Sequence, residues 1–248
     1  MSKAILYDST LCIGCRACEG ACAERWGLPY NDKIAAEETI SAHKLTAVET
    51  HGEHFSRRLC MNCVQPACVS VCPVGALQKT ALGPVTYDAD KCMGCRYCMQ
   101  ACPFQVPSYE WNSRLPRMRK CDMCYARQSH GKLTACGEAC PVGATLCGER
   151  DELLGEARKR IAEKPAAYYD KVYGVQEVGG TSVLYLSAVP FEQIGLRTNV
   201  PMQNLPETTW RVLELVPDIV STGSVLLGGI WWISNRRAEV ARKEGRRQ

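Results

Sequence analysis

The sequence predicts an α+β chain: two small metal-cluster units with long loops, followed by one C-terminal transmembrane helix. Three observations predict it. All but one of the 17 cysteines fall into four tight groups, segments around those groups recur within the chain, and a charge-free apolar stretch runs into a basic C-terminal tail.

The groups are Cys12, Cys15, Cys18, Cys22; Cys60, Cys63, Cys68, Cys72; Cys92, Cys95, Cys98, Cys102; and Cys121, Cys124, Cys136, Cys140. The first and third have the spacing C-x2-C-x2-C-x3-C, with which bacterial ferredoxins hold 4Fe-4S clusters, and the other two are spacing variants of it. Three thiolates spaced three apart on a tight loop converge on one cube. The fourth, carried off by the following helical turn, serves a different cluster. Proline follows the fourth cysteine in three groups (Pro73, Pro103, Pro141), fixing φ and donating no hydrogen bond at the exit from the site. Gly14 and Gly94 allow the backbone conformations that bring amides close to the cluster sulfides, and such amides help to set the potential.

A disulfide framework is the first competing reading, but cysteine stays below the ~8–10% of short disulfide scaffolds, and bridging near neighbours would strain the C-x2-C loops. Zinc is the stronger competitor because C-x2-C pairs also make ribbons. Ribbons give no reason for a third cysteine at x2 and a fourth at x3 before proline. Cys147, outside the groups, reads as a small buried hydrophobe. His43, His51, His54 and His130 read as solvated side chains, since no ligand position is vacant.

A chain of 248 residues with four clusters implies two dicluster units. Aromatic residues are few and loops are long, so the clusters are expected to act as the cores and the metal-free chain to be largely unfolded. The net charge of +4 is accounted for by the tail 236–248, which holds six Lys or Arg and two Glu. Four oxidised clusters, at about −2 each, make the folded remainder acidic, which excludes nucleic acid as a partner.

Along the chain, Cys12-Ile13-Gly14-Cys15-Arg16-Ala17-Cys18 is echoed by Cys92-Met93-Gly94-Cys95-Arg96-Tyr97-Cys98, and Cys72-Pro73-Val74-Gly75-Ala76 by Cys140-Pro141-Val142-Gly143-Ala144. A duplicated ferredoxin is implied. Short strands are expected at 5–7 and 84–87, each leading into a binding loop through Asp8 or Asp88. Residues 33–56 form an insertion, a hairpin or loop whose strand-like run is 45–48. Residues 151–164 have the pattern of an amphipathic helix with Leu153, Leu154, Ala157 and Ile161 on one face and Asp151 as cap. Residues 181–187 are strand-like, and 189–206, with three prolines, is expected to be an extended arm lying on a partner.

Residues 219–233 carry no charge but span only ~22 Å as a helix, short of the ~30 Å hydrocarbon core. Extending back to Val212 gives ~33 Å and takes in Glu214 and Asp218, with a kink expected at Pro217. Trp231 and Trp232 mark the far boundary and the basic tail follows. Ser221, Thr222, Gly223, Gly228 and Gly229 suit close helix packing. The expected layout is a four-cluster domain over 1–147, a helix and partner-docking arm over 148–206, a membrane anchor over 207–235 and a tail over 236–248. Basic residues concentrated after the anchor put the C-terminus in the cytoplasm and the cluster domain in the periplasm of a bacterial inner membrane. Residues 1–10 have neither a basic leader nor an apolar h-region, so export is expected in the folded state with a signal-bearing partner.

Leu6-Tyr7-Asp8-Ser9-Thr10-Leu11-Cys12-Ile13-Gly14-Cys15-Arg16-Ala17-Cys18, the cysteine groups, Gly179-Gly180-Thr181-Ser182-Val183-Leu184-Tyr185-Leu186 and the single anchor together resemble the iron-sulfur subunit of membrane-bound formate dehydrogenases and of quinone-linked nickel-iron hydrogenases. The cysteine pattern is shared with subunits of nitrate, dimethyl sulfoxide and polysulfide reductases. The segment after Gly179 and the anchor narrow the likeness to the formate and hydrogen group. The resemblance implies a pseudo-twofold pairing of groups. On this chain Cys12, Cys15, Cys18 and Cys140 would hold one 4Fe-4S cluster, and Cys22, Cys121, Cys124 and Cys136 a second. Cys60, Cys63, Cys68 and Cys102 would hold the third, with Cys72, Cys92, Cys95 and Cys98 holding the fourth. Cys22 departs from the pattern in preceding Ala23 rather than proline. The implied function is a non-catalytic one-electron relay from a molybdenum or tungsten formate dehydrogenase, or a nickel-iron hydrogenase, to a membrane cytochrome b or quinone-site subunit. The lack of an N-terminal signal tilts the reading toward formate. A soluble polyferredoxin and a redox-silent structural scaffold are the readings of other classes.

Overall fold

The structure is a computed structural model that describes residues 2–245; Met1 and the last three residues of the tail lie outside the described residues. The chain divides after Pro206 into two units. In chain order the first contains β1 (Lys3–Asp8), α1 (Ala17–Trp26), β2 (Thr46–His51), β3 (His54–Leu59), α2 (Ala67–Ser70), β4 (Leu77–Lys79), β5 (Val85–Tyr87), α3 (Tyr97–Ala101), β6 (Ser108–Tyr109), β7 (Met118–Arg119), α4 (Tyr125–Gln128), α5 (Ala135–Glu138), β8 (Thr145–Glu149), α6 (Arg150–Glu163) and β9 (Val183–Leu186).

The principal sheet has the order β8-β1-β9. β1 pairs antiparallel with β8, Ile5 opposite Cys147, and parallel with β9, Ile5 opposite Val183. Being central, β1 is buried on both faces, which its run Ala4-Ile5-Leu6-Tyr7 suits. Alternation along the strands then separates two cores. Ala4, Leu6, Leu184 and Leu186 face α6 through Leu153 and Ala157. Ile5, Tyr7, Val183 and Tyr185 face the cysteine side, where Cys60, Cys121 and Cys136 join the same apolar cluster.

The smaller pairs repeat a theme. β1 leads into the first cysteine group and pairs with β8, which leaves the Cys-Pro-Val-Gly-Ala segment of the fourth. β5 leads into the third group and pairs with β4, which leaves the same segment of the second. The Asp8 N–H donates to Ala144 O and the Asp88 N–H to Ala76 O, both at 2.8 Å. Likewise α1 packs on α5, and α2 on α3.

Several expectations are corrected or sharpened by the structure. The 33–56 insertion is a hairpin whose second strand, β3, was hidden by its polar run His-Phe-Ser-Arg-Arg-Leu. Helix α6 begins at Arg150, with Glu149 rather than Asp151 at the cap position, because β8 runs straight into it and the Arg150 N–H donates to Ser2 O at 2.8 Å. Residues 189–206, expected as an extended arm, pack on the cluster unit, next to the expected strand at 181–187. The segment 148–206 supplies β9 to the principal sheet and buries Phe191, Ile194 and Val200 in the same core as Tyr7, Tyr173 and Tyr185. Finally, the clusters are not the sole cores: Tyr185 meets Tyr7 and Tyr173 edge-on at 5.5 and 5.9 Å, and Tyr173 meets Phe191 at 5.2 Å. The aromatic residues are few but concentrated, which a whole-chain percentage conceals.

The second unit consists of α7 (Leu205–Leu213, whose first two residues precede the division) and α8 (Val216–Gly245). Leu205–Gly245 is long and apolar enough to cross a membrane, with mean hydropathy 1.4 in its most apolar window. Trp210, Ile219, Leu227, Ile230, Trp231 and Trp232 are all exposed. The kink expected at Pro217 is present: α7 ends at Leu213, the residue whose carbonyl Pro217 cannot bond, the helix breaks at Glu214 and Leu215, and Pro217 sits in the first turn of α8. Helix α8 also runs on through the basic residues to Gly245, so the described part of the tail is helical.

Candidate metal centres

The first binding loop starts from a latched strand end. The buried Asp8 accepts through Oδ1 from the Thr10 N–H at 3.0 Å and the Thr10 hydroxyl at 2.6 Å. Its Oδ2 is held by Arg160 Nη1 and by the Tyr168 hydroxyl, both at 2.9 Å. From there the chain turns through Gly14 at φ 69° and Arg16 at φ 56°, which opens α1. The third group uses the same path, with Gly94 at φ 74° and Arg96 at φ 60° opening α3. A Cβ at Gly14 would lie 2.5 Å from the Phe55 ring, and one at Gly94 2.5 Å from the Tyr109 hydroxyl, so both positions need glycine for space as well as for conformation.

The folded chain gathers most of the predicted thiols into neighbourhoods. Cys72, Cys92, Cys95 and Cys98 line one pocket with Leu77, Tyr87 and Met118. Cys63 lies within the electrostatic reach of Cys60, Cys102 and Cys68. Cys22 lies within the electrostatic reach of Cys136 and Cys124, and Cys121 within that of Cys22, Cys60 and Cys136. Cys18 lies within the electrostatic reach of Cys136 and of Cys12. For Cys15 and Cys140 the link is through the backbone, by the β1–β8 pairing that joins the first group to the fourth. Cys147, in β8, shares a 2.7 Å hydrogen bond with the Thr134 hydroxyl; burial pushes its thiol up to about 11.

Burial, with neighbouring thiols adding to it, pushes Cys22 and Cys68 up to about 12 and Cys18 and Cys98 up to about 11; Cys63 and Cys121 are raised too. A free thiol titrates near ~8.5. In the metal-free chain this shift favours the fold below about pH 8.5, and the benefit is lost as pH rises through the folded values. At neutral pH the sites therefore hold protons that a metal must displace. Iron retained against a fixed chelator concentration is expected to rise between about pH 6 and pH 9, and a flat profile would contradict this protonation.

The donor set fits a 4Fe-4S group. Backbone amides of Met123 and Ala135 donate to the sulfurs of Cys121 and Cys124 at 3.3 and 3.4 Å, the kind of bond that tunes a thiolate-held cluster. Three cations also face the thiols. Arg57, at 0% exposure, donates from Nη2 to Cys136 Sγ at 3.1 Å. The buried Lys120 donates to the carbonyls of Val85 and Cys121 and lies near Cys68. Lys79 donates to Cys63 O at 2.7 Å; burial lowers it to about 8. Buried cations need anionic company, and four thiolates with an iron-sulfur core provide it. Sequence reading missed all three, because Arg57, Lys79 and Lys120 stand in polar contexts that look solvated.

A frame of short paired strands that lead into and out of cysteine-bearing turns is that of a ferredoxin-type iron-sulfur protein. Residues 52–150 match the 4Fe-4S dicluster domain family. A protein of Nitratidesulfovibrio vulgaris is 40% identical over 98% of this chain and 70% of its own. The hydrogenase-2 operon protein HybA of Escherichia coli O157:H7 is 36% identical over 91% of this chain and 84% of its own. The formate dehydrogenase iron-sulfur subunit of Haemophilus influenzae is 33% identical over 89% and 77%. The chain belongs to this family of 4Fe-4S electron-transfer subunits, of the formate dehydrogenase and hydrogenase type, and relays electrons within an oxidoreductase complex.

Proposed function

We propose that the four ligand sets are those the resemblance implies: Cys12, Cys15, Cys18, Cys140; Cys22, Cys121, Cys124, Cys136; Cys60, Cys63, Cys68, Cys102; and Cys72, Cys92, Cys95, Cys98. The proposed architecture is two ferredoxin-like dicluster units, a reading supported by the repeated strand pairings and the matching Asp8 and Asp88 hydrogen bonds. Bound 4Fe-4S groups supply one-electron steps. The chain's part is to hold the thiol sets in file. The observation that carries this reading is the electrostatic reach from one proposed set to the next: Cys18 with Cys136, Cys121 with Cys60, and Cys68 with Cys98. Cys15 and Cys95, in the first and last sets of that file, are the exposed cysteines. Exposed Ile13 flanks one and exposed Met93 and Tyr97 the other, apolar surface suited to a donor at one end and an acceptor at the other.

The donor is a catalytic subunit that oxidises formate at molybdenum or tungsten, with a nickel-iron hydrogenase as the second reading, favoured by the likeness to the hydrogenase-2 operon protein. The acceptor is a membrane cytochrome b or quinone-site subunit. This chain turns over no substrate itself. Helix α8 anchors it in a bacterial inner membrane with its basic end cytoplasmic and the cluster domain periplasmic, a reading supported by the apolar, exposed Leu205–Gly245 segment and the Arg and Lys residues that end it. Alkaline carbonate washing of membranes is expected to leave the full chain in the pellet and to release a variant lacking residues 207–248. Release of both would contradict the anchor. Copurification of the native complex is expected to bring molybdenum or tungsten with the chain; nickel in their place would move the donor to the hydrogenase reading.

A further inference from the structure

The inserted hairpin carries a charge into the relay. Arg57 stands in β3 opposite Val48, and its guanidinium is fully buried. Nε donates to the Thr46 hydroxyl at 3.1 Å, Nη1 to the Thr145 hydroxyl at 2.8 Å and Nη2 to Cys136 Sγ at 3.1 Å. None of these bonds goes to a carboxylate. A guanidinium keeps its charge at any physiological pH, and Cys18 as well as Cys136 lies within its electrostatic reach. In the proposed ligand sets Cys136 and Cys18 serve different clusters, so one cation faces two adjacent sites.

The placement of Arg57 is rigid. The Tyr185 hydroxyl donates to Arg57 O at 2.7 Å, while the hydroxyls of Tyr7 and Ser9 donate to Phe55 O at 3.0 and 2.6 Å. The Phe55 ring covers Gly14 in the first binding loop. The hairpin is thus pinned to the principal sheet on one side and to the loop of the first cysteine group on the other.

We propose that Arg57 is a positioning residue that sets the reduction equilibria of two adjacent clusters, those held through Cys18 and through Cys136, by placing one permanent positive charge between them. An added electron makes a cluster more negative, and a nearby fixed cation out of reach of solvent stabilises that added charge far more than a surface cation would. The same charge lessens the repulsion between two reduced neighbours. The hydrogen bond from Nη2 to Cys136 Sγ acts in the same direction, by drawing electron density from the thiolate.

This inference rests on the four-cluster reading, and redox titration followed by electron paramagnetic resonance on the anaerobically purified full chain separates the two. A parent chain without reducible clusters overturns the relay itself, whereas a parent with four clusters leaves Arg57 to be tested alone. In Arg57→Gln, which keeps hydrogen bonding and removes the charge, two of the four reduction equilibria are expected to fall about tenfold, equivalent to 59 mV for a one-electron couple. The other two should stay in place. Arg57→Lys should restore both shifted values to within about threefold of the parent. Unmoved equilibria in an iron-replete glutamine variant, or an equal shift of all four, would make Arg57 merely structural. If the glutamine variant loses iron, the lysine variant decides: retained clusters with near-parent equilibria support the charge, and loss of iron or glutamine-like equilibria overturns it.

Discussion

Replacing Cys102 by alanine is expected to empty the site of the second cysteine group while leaving intact that of the third group, to which Cys102 belongs in sequence. The reason is the one turn of α3 between Cys98 and Cys102. Cys98 lines a pocket with Cys72, Cys92 and Cys95, and in the proposed sets Cys102, at the helix end, joins Cys60, Cys63 and Cys68, within whose electrostatic reach it lies. Iron should fall by about four atoms from about sixteen, with loss of one reducible centre. Cys98→Ala should remove a different centre, of different spectrum. If both variants lost the same centre, or if Cys102→Ala spared the second group's site, the crossed ligation would be wrong.

Tyr185→Ala is expected to destabilise the cluster unit by about 3–5 kcal/mol. Its ring is buried between Tyr7 and Tyr173, and its hydroxyl carries the hydrogen bond to Arg57 O that ties the hairpin to β9. Removing it opens a cavity beneath the sheet and leaves that carbonyl without its donor. Thermal unfolding of the holo-chain, followed by loss of the cluster absorbance, measures the effect. An unchanged transition would contradict the buried role of β9 and of the hydrogen bond that ties the hairpin to it.

Metal chemistry was readable because it is local. Spacings of three and four residues dictate where thiols can point, so all four cysteine groups, the turn glycines Gly14 and Gly94 and the repeat could be read directly. The strands at 5–7 and 84–87 were readable for the same reason: each immediately precedes a loop of known path. Contacts made across long stretches of sequence were not. Nothing near Val183 indicates that it will pair in parallel with Ile5, nor near Phe191 that it will meet Tyr173 under the sheet. Arg57 is the sharpest case. In sequence it is the first of two arginines in a polar strand, and only the alternation of β3 sends it inward against Cys136 while Arg58 turns outward to Glu49. The pairing of ligand sets came from resemblance.

The central claim is that one polypeptide carries four redox-active 4Fe-4S clusters. Counting iron and acid-labile sulfide in the anaerobically purified full chain, with stepwise dithionite reduction of the same sample, tests it most directly. About sixteen iron and sixteen sulfide per chain, with four reducible centres, are expected. Zinc in their place, about eight iron, or a spectrum that dithionite leaves unchanged would contradict it.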